Sequence, residues 1–398
     1  MNLNAKHTVR ASYIGYLTQA ITINFAPLLF VTFENTYGIS MGMIGSLIGI
    51  SFLTQLAADF ITAKIADRIN TRATVIFAHI CAVIGMTGFA YLPDIMPTPY
   101  IGLVCAVVIA AVGGGIIEVL ISPIVEAAPT ENKSAQMSLL HSFYSWGLAG
   151  VVILSTLFFT FVGIEHWKLL SALWAIIPAF GAVAFCFVPI YELDTVEVGE
   201  ESEPPKKLVK SGIFWIFIIM MFCAGAAEQV MGQWSSSFAQ SGLGIDKTAG
   251  DMLGPCLFAI LMGSARVFYG RSGGRIRLMN FIAISSGLCI VSYIIAALSP
   301  VPIVSLLGCA LCGLATGIMW PGTYSLASSR MPWGGVKMFA FLAMAGDMGC
   351  LVGPTAAGWI AEASNNRLQV AFLVSLIYPV LMIAMLILGF SKRRGLKK

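Results

Sequence analysis

The sequence predicts an all-α membrane protein with twelve transmembrane helices in two pseudo-symmetric six-helix bundles. Three observations lead to this prediction. The chain is 58% hydrophobic and only 11% charged, whereas a typical soluble domain is about one quarter charged. Apolar stretches of about 20 residues, the length that a helix needs to cross a bilayer, recur along the chain. One long polar segment separates the first six stretches from the last six.

The predicted spans are separated by short polar segments. Their length and continuity favour helices over barrel strands, because a backbone in lipid must satisfy its hydrogen bonds internally. The twelve spans are predicted at residues 11–33, 43–64, 73–92, 98–126, 136–162, 168–191, 212–239, 248–270, 278–298, 301–329, 336–361 and 368–390.

The long polar segment, ELDTVEVGEESEPPKKLVK, is acidic, contains two prolines and then becomes basic. Such a charge run is typical of a solvated loop, so it predicts a cytoplasmic linker between two domains. We therefore expect an N-terminal six-helix bundle over residues 1–191, a linker over 192–211, and a C-terminal six-helix bundle with a basic cytoplasmic tail over 212–398.

The two halves share short similarities that indicate an internal repeat. At an offset of 203 residues, four pairs of identical residues align, namely Gly114 with Gly317, Ser122 with Ser325, Pro129 with Pro332, and Gly150 with Gly353. Two parallel repeats of this kind predict a substrate site between the halves, near the bilayer midplane.

The basic residues predict the orientation, because they accumulate on the cytoplasmic side of a membrane. With both termini in the cytoplasm, only Lys168, Lys247 and Arg367 fall outside. The net charge of +4 then reflects topology and contact with anionic lipids, and we expect no binding to nucleic acid. No small-residue cleavage site follows a short apolar core near the N-terminus, so we expect the first span to be retained. Short loops indicate a multi-pass protein of a bacterial inner membrane, and we expect a monomer.

No enzyme motif is present in the chain. HExxH, GxSxG and the Walker-type GxxxxGK[ST] are absent from the sequence. Nine cysteines lie within apolar stretches, and Cys309 and Cys312 of the one CxxC are interpreted as small buried residues. We therefore expect neither an enzyme nor a bound cofactor or metal.

The loop AKIADRINTR follows the second span and contains Asp67, Arg68 and Arg72. It resembles the signature loop of the major facilitator superfamily, Gly-x-x-x-Asp-Arg-x-Gly-x-Arg, with Ala63 and Asn70 at two glycine positions. The resemblance implies the major facilitator fold and a charge-assisted contact that closes one conformation. The alternative is that these charges only fix topology. The candidate gating residues are Asp59, Asp67, Arg68, Arg72, Arg266, Arg271 and Arg275.

Three acids lie deep in predicted spans: Glu118 in the fourth, Glu228 in the seventh and Asp347 in the eleventh. A charge at this depth costs at least about 2.5–3.5 kcal/mol. His141 is the only titratable base expected at a similar depth, so at least two of the acids lack a cation. We expect at least one acid to bind and release a proton near physiological pH. The alternative for each is a neutral acid, hydrogen-bonded to a neighbouring helix.

Glu118 has the most suggestive surroundings. The run of three glycines at 113–115 permits close helix approach. Ser122 lies one turn later on the same face. Pro123 has no N–H and leaves the carbonyl of Val119 free to accept a hydrogen bond. This environment favours a functional acid.

The stretch GGIIEVLISPIVEAAP with MSLLHSFYSWG resembles the fucose-permease-like sugar:proton symporters. The resemblance implies proton coupling at Glu118 and a polar role for His141, with Tyr144 where an asparagine is common. In the first span, Asn24 is kept but Phe25 replaces a second carboxylate. That difference argues against L-fucose as substrate and against coupling through two carboxylates.

A sugar site needs planar side chains for the C–H faces and amides or carboxylates for the hydroxyl groups. The segments EQVMGQWSSSF and GIMWPGTYS supply such residues on single helix faces. The candidate substrate-binding residues are Tyr16, Gln19, Asn24, His141, Tyr144, Glu228, Gln229, Gln233, Trp234, Trp320 and Tyr324.

The sequence thus predicts a secondary active transporter that takes up a sugar or similar small polar solute together with a proton, by alternating access. Its partners are that solute, the proton and the lipid bilayer. The alternative is a drug or multi-substrate:proton antiporter of the same fold. Such antiporters carry a Gly-Pro run in the fifth helix, and here Gly-Pro occurs in the eleventh span, in GCLVGPTAAGW.

Overall fold

The computed structural model describes residues 4–65, 69–129, 133–191, 205–271, 277–331 and 335–390. Every regular element over these ranges is a helix, which confirms the predicted all-α class. The chain divides into two compact units, Met1–Thr195 and Val196–Lys398. We call them the N-terminal unit and the C-terminal unit.

Over its described residues, the N-terminal unit contains eight α-helices, because two of its spans are interrupted. They are α1 (Ala5–Asn24), α2 (Phe30–Tyr37), α3 (Met41–Ile65), α4 (Thr71–Ile95), α5 (Pro99–Ala127), α6 (Lys133–Val162), α7 (Trp167–Trp174) and α8 (Ile176–Phe187). A 3₁₀ turn, Ala26–Leu29, joins α1 to α2, and a second, Ile164–His166, precedes α7.

In the C-terminal unit, some spans are also divided into shorter helices. Its α-helices are α9 (Pro205–Lys210), α10 (Gly212–Ser237), α11 (Lys247–Asp251), α12 (Leu257–Arg271), α13 (Leu278–Leu298), α14 (Pro302–Thr316), α15 (Met319–Arg330), α16 (Gly335–Ala363), α17 (Leu368–Ser375) and α18 (Ile377–Phe390). Two π-helical turns, Phe238–Gly242 and Met252–Cys256, flank α11.

Over the described ranges, eleven helical segments are long and apolar enough to cross a membrane. They coincide with eleven of the twelve predicted spans. The remaining predicted span, 336–361, coincides with α16, which at 29 residues is also long enough to cross. α16 contains the acid Asp347 and an internal proline, Pro354. The twelve-helix arrangement therefore agrees with the structure.

Proline accounts for a matching interruption in each unit. The sixth span is interrupted at Ala175 and the twelfth at Leu376. Pro178 and Pro379 follow three residues later in each case. Because proline has no N–H, the carbonyl four residues before it loses its helical donor, and α7 and α17 end there. The same proline-dependent interruption at equivalent positions supports the internal repeat.

Glycines allow the closest helix contacts in both units. A Cβ atom at Gly115 of α5 would lie 2.8 Å from the backbone oxygen of Gln55 in α3. A Cβ atom at Gly313 of α14 would lie 2.1 Å from the backbone oxygen of Phe258 in α12. Residues with side chains do not fit such approaches. The contact at Gly115 brings the polar residues of α3 and α5 together.

Candidate functional site

The carboxyl group of Glu118 in α5 receives two hydrogen bonds on the same oxygen. Gln19 of α1 and Gln55 of α3 each donate from Nε2 to Oε2, both at 2.7 Å. Gln19 and Gln55 are only 4% and 6% exposed. The other oxygen, Oε1, accepts no hydrogen bond from the residues that the structure describes. Three helices therefore meet at one carboxyl group.

A second polar contact joins α1 and α5, one helical turn from Glu118. The Tyr16 hydroxyl of α1 shares a hydrogen bond of 2.9 Å with Ser122 Oγ of α5. Ser122 follows Glu118 by four residues, which places both on one face of α5. The predicted shared face of α5 is therefore confirmed, and it faces α1.

Asn24 lies at the end of α1, where the first span changes to a 3₁₀ turn. Its Nδ2 donates to the backbone oxygen of Ala20 at 2.9 Å and to the Tyr144 hydroxyl of α6 at 3.4 Å. Both amide hydrogens are thus used within the protein, and the amide oxygen remains as an acceptor. Among the predicted residues, Tyr16 and Gln19 thus contact α5, and Asn24 contacts Tyr144 of α6.

The expectation that His141 is the only base at depth was wrong. His79 of α4 is fully buried, and its Nδ1 donates to the backbone oxygen of Val75 at 2.8 Å. Its ring lies against Gly181 of α8. Arg266 is a partly buried base in the C-terminal unit. Neither forms an ion pair with Glu118, and within the described ranges no basic side chain does.

Glu228 of α10 has a cation beside it. Arg266 Nη2 of α12 lies 3.8 Å from Glu228 Oε2, with side chains 32% and 12% exposed respectively. Arg266 Nε also donates to the backbone oxygen of Gly317 at 3.1 Å. Pro321 has no N–H and cannot donate to that oxygen within the helix. Arg266 thus supports the interruption between α14 and α15, where the sequence predicted only a gating role.

A fourth buried acid was missed in the sequence. Asp251 of α11 is fully buried, accepts from Ser236 Oγ at 2.5 Å, and pairs with Lys247 at 2.9 Å. The Lys247 ammonium compensates its charge. Asp251 lies only four residues after Lys247. In the sequence, the two residues resemble the polar beginning of a span, so Asp251 did not stand out as a buried acid.

Trp234 does not present an open ring face, contrary to the prediction of a stacking residue. It is fully buried, and its Nε1 donates to the backbone oxygen of Pro354 in α16 at 2.9 Å. The ring therefore packs between α10 and α16. Nearby, Gln233 donates to Gln229 at 3.2 Å, so these two predicted amides pair with each other.

Trp320 and Tyr324 of α15 lie edge to face, with ring centroids 6.4 Å apart. The Trp320 ring contacts Gly346 of α16, where a Cβ atom would lie 2.2 Å from the indole. Gly346 precedes the predicted acid Asp347, which is partly buried. Trp234 of α10 and Trp320 of α15 thus both contact α16, within the C-terminal unit.

The predicted gating residues have varied positions. Asp59 of α3 faces Gly115 of α5, where a Cβ atom would lie 2.7 Å from Oδ1. Arg72 of α4 donates to the backbone oxygens of Phe185 and Cys186 at 2.7 and 3.1 Å. That contact caps α8, because a cation is favourable at a helix C-terminus. Asp67, Arg68 and Arg275, together with the side chains of His141 and Arg271, lie outside the described residues.

Gln55 is the functional candidate that sequence reasoning missed. It stands in the apolar stretch FLTQLAADF, where a polar amide is the signal that could have indicated it. Its relation to Glu118, 63 residues away, appears only in the folded chain.

Comparison with known proteins identifies the class. The family model of the Major Facilitator Superfamily matches residues 12–336. Membrane protein MosC of Rhizobium meliloti is 26% identical over 272 residues, which span 68% of this chain and 64% of MosC, less than two thirds of its length.

Solved transporters share the fold. A mutant form of the nucleoside transporter NupG superposes with a TM-score of 0.77, covering 97% of this chain and 99% of NupG. A D-xylose-proton symporter superposes with a TM-score of 0.75, covering 97% of each chain. Both are 14% identical to this chain.

The family model and the membrane-spanning helices together define a multi-pass membrane transporter, not an enzyme. The chain belongs to the Major Facilitator Superfamily.

Proposed function

We propose that this transporter is a proton-coupled symporter that takes up a sugar or similar small polar solute by alternating access. The observation that carries the proposal is the Glu118 carboxyl group, which lies inside a membrane span without a basic partner among the described residues. A permanently ionised acid is costly at such a position. An acid that binds a proton on one side and releases it on the other avoids that cost.

The other buried acids are less suited to carry the proton. Asp251 is compensated by Lys247, and Glu228 has Arg266 beside it. We therefore assign the main coupling role to Glu118. Glu228 and Asp347 remain predicted contributors, because both stand on helices that carry candidate substrate residues or pack against them.

The polar side chains of both units support a hydroxylated solute. Amide and phenol groups hydrogen-bond hydroxyl groups well, and a buried hydroxyl without a partner is costly. The proposed substrate-binding residues are Tyr16, Gln19, Asn24, His141 and Tyr144 in the N-terminal unit and Glu228, Gln229, Gln233, Trp320 and Tyr324 in the C-terminal unit. The names of two fold neighbours mention a nucleoside and D-xylose, but 14% identity supports the fold alone.

The second candidate is a drug or multi-substrate:proton antiporter of the same fold. It requires the same proton-binding acid, so Glu118 favours neither direction. The amide-rich cluster around Glu118 favours symport of a polar solute over antiport of an amphipathic one. The direction of proton movement relative to solute separates the two.

Several further features are proposed along with this function. Asp59, Asp67, Arg68, Arg72, Arg266, Arg271 and Arg275 are proposed to act in conformational gating. We propose that the two six-helix bundles comprise residues 1–191 and 212–398. Both termini and the linker at 192–211 are proposed to face the cytoplasm. The protein is proposed to be a monomer in a bacterial inner membrane.

The decisive experiment uses proteoliposomes with an imposed pH gradient, a panel of radiolabelled sugars, and a lumenal pH dye. Symport predicts that solute accumulation and lumenal acidification occur together. Glu118→Gln is expected to abolish uphill accumulation while keeping most solute exchange, because glutamine retains the shape and cannot carry the proton. The matched control is Glu362→Gln, at an exposed position of α16.

Two outcomes contradict the proposal. Uphill accumulation by Glu118→Gln at the wild-type level would show that this acid does not couple. Lumenal alkalinisation during solute uptake would instead indicate the antiporter.

A further inference from the structure

The most unusual contact of the N-terminal unit is the convergence of two amides on one carboxyl oxygen. The Nε2 atoms of Gln19 and Gln55 both lie 2.7 Å from Glu118 Oε2. They come from different helices, α1 and α3, and both glutamines are at least nine-tenths buried. A carboxylate oxygen has two in-plane lone pairs, so these two donors occupy both of them.

We propose that Gln55 and Gln19 are positioning residues that hold Oε2 as an acceptor, so that Glu118 takes and releases its proton on Oε1. This inference rests on the proposed proton-coupled function of Glu118. It assigns a role to Gln55, which no sequence motif indicated, and adds a role in coupling to the substrate-binding role proposed for Gln19.

The chemistry requires this asymmetry. An amide Nε2 can only donate, and a protonated carboxyl oxygen is a poor acceptor for two donors at once. With both amides on Oε2, the proton is placed on Oε1, which none of the described residues engages. Proton exchange and contact with a solute hydroxyl are then both confined to the same oxygen.

The two amides also set the pH at which Glu118 releases its proton. Each donates to the ionised form, and hydrogen bonds to a charged group are the stronger kind. Removal of one donor destabilises the ionised form, so the proton is held to a higher pH. The expected shift of the titration midpoint is about one to two pH units upward for each amide removed.

The position of Gln55 is held by packing, which makes its geometry specific. Gly115 of α5 lies against the backbone oxygen of Gln55, at a distance that admits no Cβ atom. The Gln55 Oε1 atom lies near Gly114, where a Cβ atom would be 3.8 Å away. The α3–α5 approach therefore fixes the distance from which Gln55 reaches Glu118.

The test is an infrared titration of the purified full-length protein, which needs no knowledge of the solute. The carboxyl C=O band lost in Glu118→Gln identifies Glu118, and its midpoint is followed with pH in Gln55→Met and Gln19→Met. Methionine keeps the unbranched shape and removes the donor. The matched control is Gln369→Met in the C-terminal unit, where Gln369 donates to the backbone oxygen of Gly242 at 3.3 Å.

The expected result is an upward shift in each variant, a larger shift in the double variant, and no shift in the control. An unchanged midpoint in folded Gln55→Met would overturn the proposal, as would a wild-type protein with no titrating Glu118 band. If Gln55→Met does not fold, Gln19→Met decides alone. The proposed function fails separately, if Glu118→Gln still drives uphill accumulation.

Discussion

Buried acids of this transporter differ in what compensates them. Asp251 has the Lys247 ammonium at 2.9 Å and a serine hydroxyl. Glu228 has a guanidinium at 3.8 Å. Glu118 has two neutral amides and no cation within the described residues. An amide pair stabilises a carboxylate less than a full positive charge does, so among these three acids the proton is the natural counterion for Glu118.

A variant of Trp234 tests whether this residue packs against α16 or binds the transported solute. Trp234→Phe removes the indole N–H and leaves the Pro354 backbone oxygen without that donor. A buried acceptor without a partner costs about 1–3 kcal/mol. We expect a lower thermal midpoint in detergent and an unchanged KM for the transported solute.

The matched control for that change is Trp146→Phe, because Trp146 is 52% exposed on α6. We expect the thermal midpoint of Trp146→Phe to equal that of the wild type. A large increase in KM for Trp234→Phe, with stability unchanged, would restore the predicted role of Trp234 in stacking on a sugar.

At the scale of the helices, glycine decides which pairs approach closely. Gly313 brings α14 against α12, as Gly115 brings α5 against α3. These are equivalent pairs in the two halves. In a membrane, helix association depends on packing because lipid tails are as apolar as the side chains. Close approach is therefore also what delivers Gln55 to Glu118.

Gly313→Ala is expected to destabilise the C-terminal unit by about 1–3 kcal/mol, because the added Cβ atom collides with the Phe258 backbone oxygen. The measurement is thermal or denaturant unfolding in detergent. The control is Gly287→Ala in α13, where no atom lies within 4 Å of the added Cβ atom.

The expected stability of Gly287→Ala equals or slightly exceeds that of the wild type, since alanine is the better helix former. Equal losses in the two variants would mean that the effect of Gly313→Ala arises from helix propensity and not from the α12–α14 contact.

At the scale of the whole molecule, the chain consists of two compact units joined at about residue 195. Each unit has its own proline-interrupted last span. This organisation is typical of a duplicated transporter, in which each repeat folds as a bundle.

Co-expression of residues 1–195 and 196–398 as separate chains is expected to yield a transporter that accumulates solute, because the break leaves each unit intact. The control breaks the chain between Met96 and Pro97, within the N-terminal unit. There α4 and α5 pack closely, and a Cβ atom at Gly113 would lie 2.5 Å from the Ala78 backbone oxygen. We expect the control pair to be inactive and poorly expressed.

Equal activity of both split pairs would argue against independent bundles. Loss of activity in the first pair, with both chains present in the membrane, would show that the intact linker is required for transport.

The sequence by itself determined the class and the number of spans, and it singled out Glu118 as the candidate coupling acid. The length of an apolar stretch and the cost of a charge in lipid are local properties, so they can be read from the sequence alone. The prolines of the interrupted spans can be read from the sequence for the same reason, because their effects act within one helix turn.

Only the tertiary structure decided which side chains meet. The Glu118 partners stand 99 and 63 residues away, on α1 and α3. The pairing of Arg266 with Glu228, the burial of Trp234 between two helices, and the burial of His79 against Gly181 were likewise invisible in the sequence. The physical reason is that almost every face of a membrane helix is apolar, so hydrophobic periodicity does not show which face contacts a neighbour. Steric fit between helices makes that choice.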